Sequence, residues 1–286
     1  MPLWMIRKNE QNRGGGKMIT RSFVNQCRLL ICILTFTVSS VASAISFTDI
    51  YIFGDSLSDT DVGVSNGPLW PEYLSPQLGL TYNSATNFAV AGATSFELIT
   101  QVSAYQSTVP TADPNALYVV WAGGNDILAG GSGTVAANNV IANVSSLSSF
   151  GANYFLVPNL PDLGLIPADG TGTLTLPSID FNSTIESAYA GIPTAVVADV
   201  FGLHHEALTD PTAFGLTNAT DSCLFTAPLE CDTYLFWDLI HPTTVGHSLI
   251  ADEFEATLAT IPIPAAVWLF ASGLIGLIGV ARRKKA

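Results

Sequence analysis

The chain has 286 residues, 48% of them hydrophobic, which is enough for one large core or two small ones. All ten Lys and Arg residues lie near the two ends, and every acidic residue except Glu10 lies between residues 45 and 260. That span therefore carries 22 carboxylates, a formal charge of −22 and no Lys or Arg salt bridge. Such a surface repels anionic lipid and excludes a nucleic-acid partner, because phosphate binding depends on Lys and Arg.

The first 44 residues have the pattern of a secretory signal peptide. Basic residues precede the apolar run 29–38, and an Ala-Ser-Ala site ends at Ala44, where we expect cleavage. The alternative is a membrane anchor, but the run is shorter than the roughly 20 residues that a spanning helix needs. Met18 is a second candidate start. The pattern predicts an exported protein.

The first motif follows an apolar run at residues 50–52, where Phe-Gly-Asp-Ser-Leu-Ser-Asp occupies residues 53–59. A buried strand that breaks at Gly-Asp-Ser would present the hydroxyl of Ser56 at the carboxyl end of the strand, where ligands bind in open α/β sheets. The alternative is ordinary turn chemistry, because Gly, Asp and Ser all favour turns.

Two further apolar runs end in the same way. Residues 87–94 predict a strand that runs into Gly92, whose backbone N–H could approach a ligand closely. Residues 117–122 predict a buried strand that ends in Gly-Gly-Asn-Asp at 123–126, and Asn125 could donate to an oxyanion. The alternatives are a simple loop glycine and an Asx-turn residue that caps a helix beginning near Thr134.

The rest of the span continues the alternation of strands and helices. We expect helices at 134–150, 182–190 and 247–258, and strands at 154–157 and 194–200. This alternation predicts a parallel sheet covered on both faces, within one domain at residues 45–260. His204 and His205 have the pattern of a helix face, and His247 begins the predicted helix 247–258; we assign these three histidines no role.

Cys223 and Cys231 are the cysteines that remain after removal of the signal peptide. Export to an oxidising compartment predicts that they form a disulfide bond. The alternative is a pair of free or metal-binding thiols, which the absence of nearby His residues at zinc spacing disfavours.

The last motif is Trp-Asp-Leu-Ile-His-Pro-Thr at residues 237–243. His241 could take the proton of a serine hydroxyl, and Asp238 could hold the imidazole in the required tautomer. Their spacing lets one loop carry both side chains. Taken alone, a His-Pro pair is more often structural.

The four motifs, in this order, resemble those of the SGNH or GDSL esterase and lipase family over nearly all of residues 49–257. The resemblance implies a three-layer α/β/α sandwich with a mainly parallel, flavodoxin-like sheet. It also implies that Ser56 is the nucleophile, with His241 as base and Asp238 as its orienting partner. The oxyanion hole would be formed by the N–H groups of Ser56 and Gly92 and by the side chain of Asn125.

The sequence departs from the family pattern at two positions. Ala91 precedes Gly92 where many relatives have a second glycine, and Leu239 follows Asp238 where a small residue is common. Both positions lie between the functional ones, so they bear on substrate fit more than on chemistry.

The C-terminal segment at residues 261–286 begins with Ile-Pro-Ile-Pro, and 17 apolar residues at 265–281 then precede Arg-Arg-Lys-Lys. This pattern predicts a short membrane anchor with its basic end in the cytoplasm; the alternative is a buried terminal helix. The segment also resembles a PEP-CTERM sorting signal. That resemblance implies an exosortase partner and inner-membrane anchoring before cleavage. After cleavage the protein would move to the surface or extracellular matrix of a Gram-negative bacterium.

These observations predict a secreted serine ester hydrolase that acts on a short-chain ester, a lipid or an acetylated polysaccharide. No ligand cluster in the sequence implies a metal or other cofactor. Two alternatives remain: an acyltransferase of the same family, and a non-catalytic surface or matrix protein on a hydrolase fold, because fold alone does not imply function.

Overall fold

The computed structural model describes residues 45–226 and 231–262. The predicted signal peptide and the apolar segment 265–281 lie outside the described residues. Within the described ranges no helix has the length and hydropathy needed to cross a membrane.

A four-stranded parallel sheet forms the centre of the molecule, in the order β1-β2-β3-β4. The strands are β1 Ile50–Gly54, β2 Leu117–Trp121, β3 Tyr154–Leu156 and β4 Ala195–Val196. All five residues of β2 are buried, as expected for a central strand covered on both faces. A separate parallel pair is formed by β5 Asn218–Ser222 and β6 Tyr234–Phe236.

Helices cover the sheet on both faces, so the predicted three-layer α/β/α class is confirmed. They are α1 Trp70–Gln77, α2 Leu98–Thr108, α3 Gly124–Leu128, α4 Gly133–Ser149, α5 Thr175–Tyr189, α6 Val200–Thr209, α7 Cys223–Thr226 and α8 Thr244–Leu258. Helix α4 packs against α2 and α5, whereas α8 packs against α1 and α6.

Three buried aromatic rings join α1, β2 and α8. The centroid of the Phe254 ring lies 5.0 Å from that of Trp70 and 5.5 Å from that of Trp121, both at steep interplanar angles. Such edge-to-face pairs add to the burial of large apolar surfaces. They hold α8, and with it the loop that precedes α8, against the carboxyl end of the sheet.

The prediction of a regular strand at residues 87–94 is wrong, although the segment does extend along the sheet. Phe88 N–H donates to Ile52 O at 2.8 Å and Val90 N–H to Gly54 O at 3.1 Å, so the segment runs beside β1. The side chain of Asn87 accepts the Ala89 N–H at 3.1 Å, and this Asx turn replaces a regular ladder. If this segment is counted as an edge strand, the order across the sheet is the segment, β1, β2, β3 and β4. Numbered along the chain, that is the flavodoxin-like order 2-1-3-4-5.

Three predicted elements have different bounds in the structure. Helix α5 begins at Thr175 rather than near residue 182, and helix α8 begins at Thr244 rather than at residue 247. The predicted strand 194–200 is regular only at Ala195–Val196, because Asp199 accepts the Gly202 N–H at 2.9 Å and so caps α6. Local capping therefore ends the apolar run earlier than its composition predicts.

Candidate active site

Ser56 lies in the turn that directly follows β1. The carbonyl of Asp55 accepts the N–H groups of Ser58 and Asp59, both at 3.0 Å, and its carboxylate accepts the Leu57 N–H at 3.1 Å. Gly54 is required before this turn, because a Cβ there would overlap the carbonyl oxygen of Trp121 on β2. The close approach of the two strands thus sets where Ser56 emerges.

A chain of short hydrogen bonds joins Ser56 to the last motif. His241 Nε2 lies 2.8 Å from Ser56 Oγ, and His241 Nδ1 lies 2.7 Å from Asp238 Oδ2. The other carboxylate oxygen of Asp238 accepts the N–H groups of Ile240 and His241 at 2.8 and 2.7 Å. The loop therefore fixes the carboxylate, which in turn fixes the imidazole against the serine hydroxyl.

Asp238 stays ionised in this arrangement. Burial acts to raise its pKa, but the hydrogen bonds from the His241 ring and from the N–H groups of Ile240 and His241 outweigh it and hold the pKa below its usual range. A carboxylate in this position can stabilise a positive charge on the imidazole.

The three predicted oxyanion donors lie on neighbouring segments. Among the described residues, the N–H groups of Ser56 and Gly92 have no acceptor. Gly92 has φ of +79°, a conformation that L side chains rarely adopt. The Asn125 amide donates to Ala93 O at 2.9 Å, which leaves one amide N–H for another acceptor. Asn125 does not cap α4, whose N-cap is Ser132.

A cavity of about 80 Å³ opens beside Ser56. Ser56, Asn125 and His241 are part of its lining, and most of the other lining side chains are apolar and come largely from residues 160–166, α6 and α8. Gly92 is not part of this wall. We refer to this space as the Ser56 cavity.

The sequence model that describes the family "GDSL-like Lipase/Acylhydrolase" matches residues 50–254, most of the chain. The chain belongs to this family. Lipase 1 of Photorhabdus luminescens is 30% identical over 166 residues, which cover 47% of this chain and 25% of that protein. A phosphatidylcholine-sterol acyltransferase of Aeromonas hydrophila is 24% identical over 324 residues, which cover 78% of this chain and 93% of that protein.

A solved structure confirms the fold of this GDSL-like chain. The lipolytic protein of the G-D-S-L family from Veillonella parvula matches with a TM-score of 0.52 and 18% identity, and the match covers 72% of this chain and 94% of that one. The chain spans about half or less of the length of some curated relatives, 52% for one from Pseudomonas putida and 25% for Lipase 1.

Carboxylates hold the Gly92 loop of the GDSL-like domain from two sides. Asp59, in the nucleophile turn, accepts the Ala91 N–H at 2.9 Å. Asp126, next to Asn125, accepts the N–H and hydroxyl of Ser95 at 2.7 and 2.8 Å. The motifs singled out Asp59 and Asp126 only as neighbours, and their bonding roles become visible only in the fold.

Gln101 is a supporting residue that no sequence motif indicates. Its buried side chain donates to Gly54 O at 2.7 Å and accepts the Gly54 N–H at 2.8 Å. This pair of bonds fixes the end of β1 from helix α2. A polar residue among the apolar positions of a helical pattern at residues 98–108 is the signal that could have found it.

Cys223 and Cys231 form a disulfide bond, with Cα atoms 5.3 Å apart. Beside it, Ser222 Oγ and Leu224 N–H both donate to Trp237 O, at 3.0 and 2.9 Å. Trp237 directly precedes Asp238, so this segment supports the loop that carries Asp238 and His241.

Proposed function

We propose that the protein is a serine ester hydrolase that forms an acyl-enzyme on Ser56. The observation that carries this proposal is the hydrogen-bonded chain from Ser56 through His241 to Asp238, with Ser56 and His241 in the lining of a cavity. An activated serine needs this arrangement, with a base in reach of the hydroxyl and a third group that orients the base. Family membership supports the same chemistry.

The reaction proceeds by two acyl transfers. Ser56 Oγ forms a bond to the ester carbonyl carbon while its proton moves to His241 Nε2, and the oxyanion accepts hydrogen bonds from Ser56 N–H, Gly92 N–H and Asn125. His241 then protonates the alcohol oxygen as the carbon–oxygen bond breaks. Water attacks the acyl-enzyme, gives a proton to His241, and the acid leaves as Ser56 regains its proton.

A second candidate is transfer of the acyl group to an alcohol instead of water. The Aeromonas acyltransferase, which the chain matches over 93% of that protein's length, supports this candidate. The two reactions share the acyl-enzyme and differ in the acceptor. Adding an alcohol such as glycerol to the assay distinguishes them, because a transferase forms the new ester at the expense of free acid.

The protein acts after export in this proposal. The signal-like residues 1–44 direct export, and residues 261–286 anchor the chain in the inner membrane until an exosortase-type enzyme releases it to the surface or matrix; the support is the sequence pattern. A mature N terminus at residue 45 and loss of the tail in the surface fraction are the expected results of mass spectrometry. An unprocessed cytoplasmic chain would contradict this proposal.

Hydrolysis of p-nitrophenyl esters tests the activity directly. Wild-type protein should cleave at least one ester, Ser56→Ala should abolish the cleavage, and Ser103→Ala, an exposed serine on α2, should leave it unchanged. If both variants kept full activity, Ser56 would be ruled out as the nucleophile. A folded protein with no activity on any ester would favour the non-catalytic matrix role.

A further inference from the structure

The wall of the Ser56 cavity is built to receive an aliphatic group. Val200 and Ala207 on α6 and Ile250 on α8 form buried parts of this wall, and Leu203 and Leu249 line it nearer to solvent. Burying methylene groups against such a wall is favourable because it removes apolar surface from water. Resting on the proposed hydrolase function, we infer that the Ser56 cavity binds the acyl chain of the substrate as an uncharged aliphatic chain of medium length.

The polar groups in the wall explain why the chain must be uncharged. Residues 45–260 contain no Lys or Arg, so a carboxylate or phosphate on the chain would find no cation there. Asp55, which also lines the cavity, would repel it. Besides the site residues Ser56, Asn125 and His241, the lining includes His204, which is buried and whose ring nitrogens have no hydrogen-bond partner within the described residues. A hydroxyl-rich sugar would lose most of its hydrogen bonds to water, because the two ring nitrogens of His204 could replace only a few of them.

The position of the cavity favours the acyl part of the ester over the alcohol part. Ser56 lines the cavity, and buried apolar residues form much of the rest of its wall. The acyl group stays covalently attached to Ser56 between the two steps, whereas the alcohol must leave before water enters. An apolar space next to Ser56 therefore suits the group that remains attached.

The volume sets the length of the chain. The cavity volume of about 80 Å³ is roughly six times the 10–15 Å³ needed to hold one water molecule, so the cavity has room for more than an acetyl group. We therefore expect a hexanoyl ester to be near the optimum. Each added methylene up to that length should raise kcat/KM by about fourfold, so the four methylenes added from acetate to hexanoate should raise it by about 250-fold.

The test combines a chain-length series with a matched pair of variants on α6. Leu203 and Leu208 are both half-buried, but only Leu203 lines the cavity. Leu203→Ala should move the optimum to longer p-nitrophenyl esters by about two carbons, because truncation leaves space. Leu208→Ala should leave the optimum unchanged. Ala207→Leu should fill the cavity and reduce hexanoate turnover at least tenfold while acetate turnover stays within about twofold.

Two further arms separate this proposal from the function on which it rests. Alkyl fluorophosphonates label an activated serine without turnover, so failure of every one of them to modify Ser56 would reject the hydrolase function itself. Labelling of Ser56 at a rate independent of alkyl length would reject the acyl cavity. An optimum at acetate that shifts no more in Leu203→Ala than in Leu208→Ala would reject it as well. Acetates of longer alcohols preferred over longer acyl esters would assign the cavity to the alcohol instead. Thermal melts establish that each variant is folded.

Discussion

The side chain of Asn125 donates a hydrogen bond to the carbonyl oxygen of Ala93, at 2.9 Å. This bond ties the residue that follows Gly92 to the turn after β2, so two of the proposed oxyanion donors hold each other in place. Asn125 therefore has two roles in the proposed mechanism: one amide N–H positions the Gly92 loop and the other faces the reacting ester.

Replacing Asn125 by alanine should reduce kcat by about 10²- to 10³-fold, the usual cost of one oxyanion donor. Part of the loss should arise from the freed Gly92 loop. Asn138→Ala, an exposed asparagine on α4, is the matched control and should retain full activity. Near-normal turnover by the Asn125 variant would show that the amide does not contact the oxyanion.

Asp238→Asn should lower kcat by about 10³- to 10⁴-fold while the protein stays folded. The asparagine oxygen can still accept the N–H groups of Ile240 and His241, but the amide cannot stabilise a charged imidazole or select its tautomer. Kinetics on the preferred ester measure the loss, and Asp180→Asn, at an exposed position of α5, serves as control. A loss of less than tenfold would mean that Asp238 is not the orienting partner of His241 in the proposed mechanism.

The parts of the site that the sequence predicts are those encoded in short, contiguous motifs. Ser56 follows a recognisable apolar run, and Asp238 and His241 share one loop. The contact between Ser56 and His241 spans 185 positions, and only the order of the motifs within a known family indicates it. The supporting bonds from Gln101 to Gly54 and from Asp59 to Ala91 connect residues 47 and 32 positions apart, and no local pattern encodes them.

Reduction of the disulfide between Cys223 and Cys231 should lower the free energy of unfolding by about 2.5 kcal/mol, the chain-entropy value for a loop this short. Urea melts of the wild type and of a Cys223→Ser, Cys231→Ser variant measure the difference. Most of the activity should remain, because the Ser222 and Leu224 bonds to Trp237 still support the loop that carries the catalytic residues. Equal melts would mean that the bond contributes nothing to the folded domain.

The melting temperature should rise with salt. Residues 45–260 carry carboxylates without Lys or Arg partners, and the ion pairs seen in the described ranges use only His205 and His241. Raising NaCl from about 10 to 150 mM shortens the screening length from about 30 to 8 Å, which weakens this repulsion. The effect should shrink near pH 4, where carboxylates become protonated. A flat melting temperature at neutral pH would contradict this expectation.

Asp55→Asn should stabilise the protein relative to wild type, and this stabilisation should be larger at neutral pH than at acidic pH. Burial raises the pKa of Asp55 to about 6; the Leu57 N–H and nearby His241 oppose this rise, and Asp126 adds to it. Between about pH 4 and pH 6 the folded state keeps a proton that the unfolded state has released. The stability contributed by Asp55 therefore falls as pH rises through this window, and asparagine, which does not ionise, avoids the loss.

The expected gain of the Asp55→Asn variant between pH 4 and pH 7 is about 2 kcal/mol. Burial lowers the pKa of His204 to about 4 and of His247 to about 3, so both histidines favour the folded state as pH rises. They are present in both proteins and cancel in the comparison. Urea melts of wild type and variant at the two pH values measure the difference, and a gain that does not change with pH would mean that Asp55 ionises as readily in the folded state as in the unfolded one.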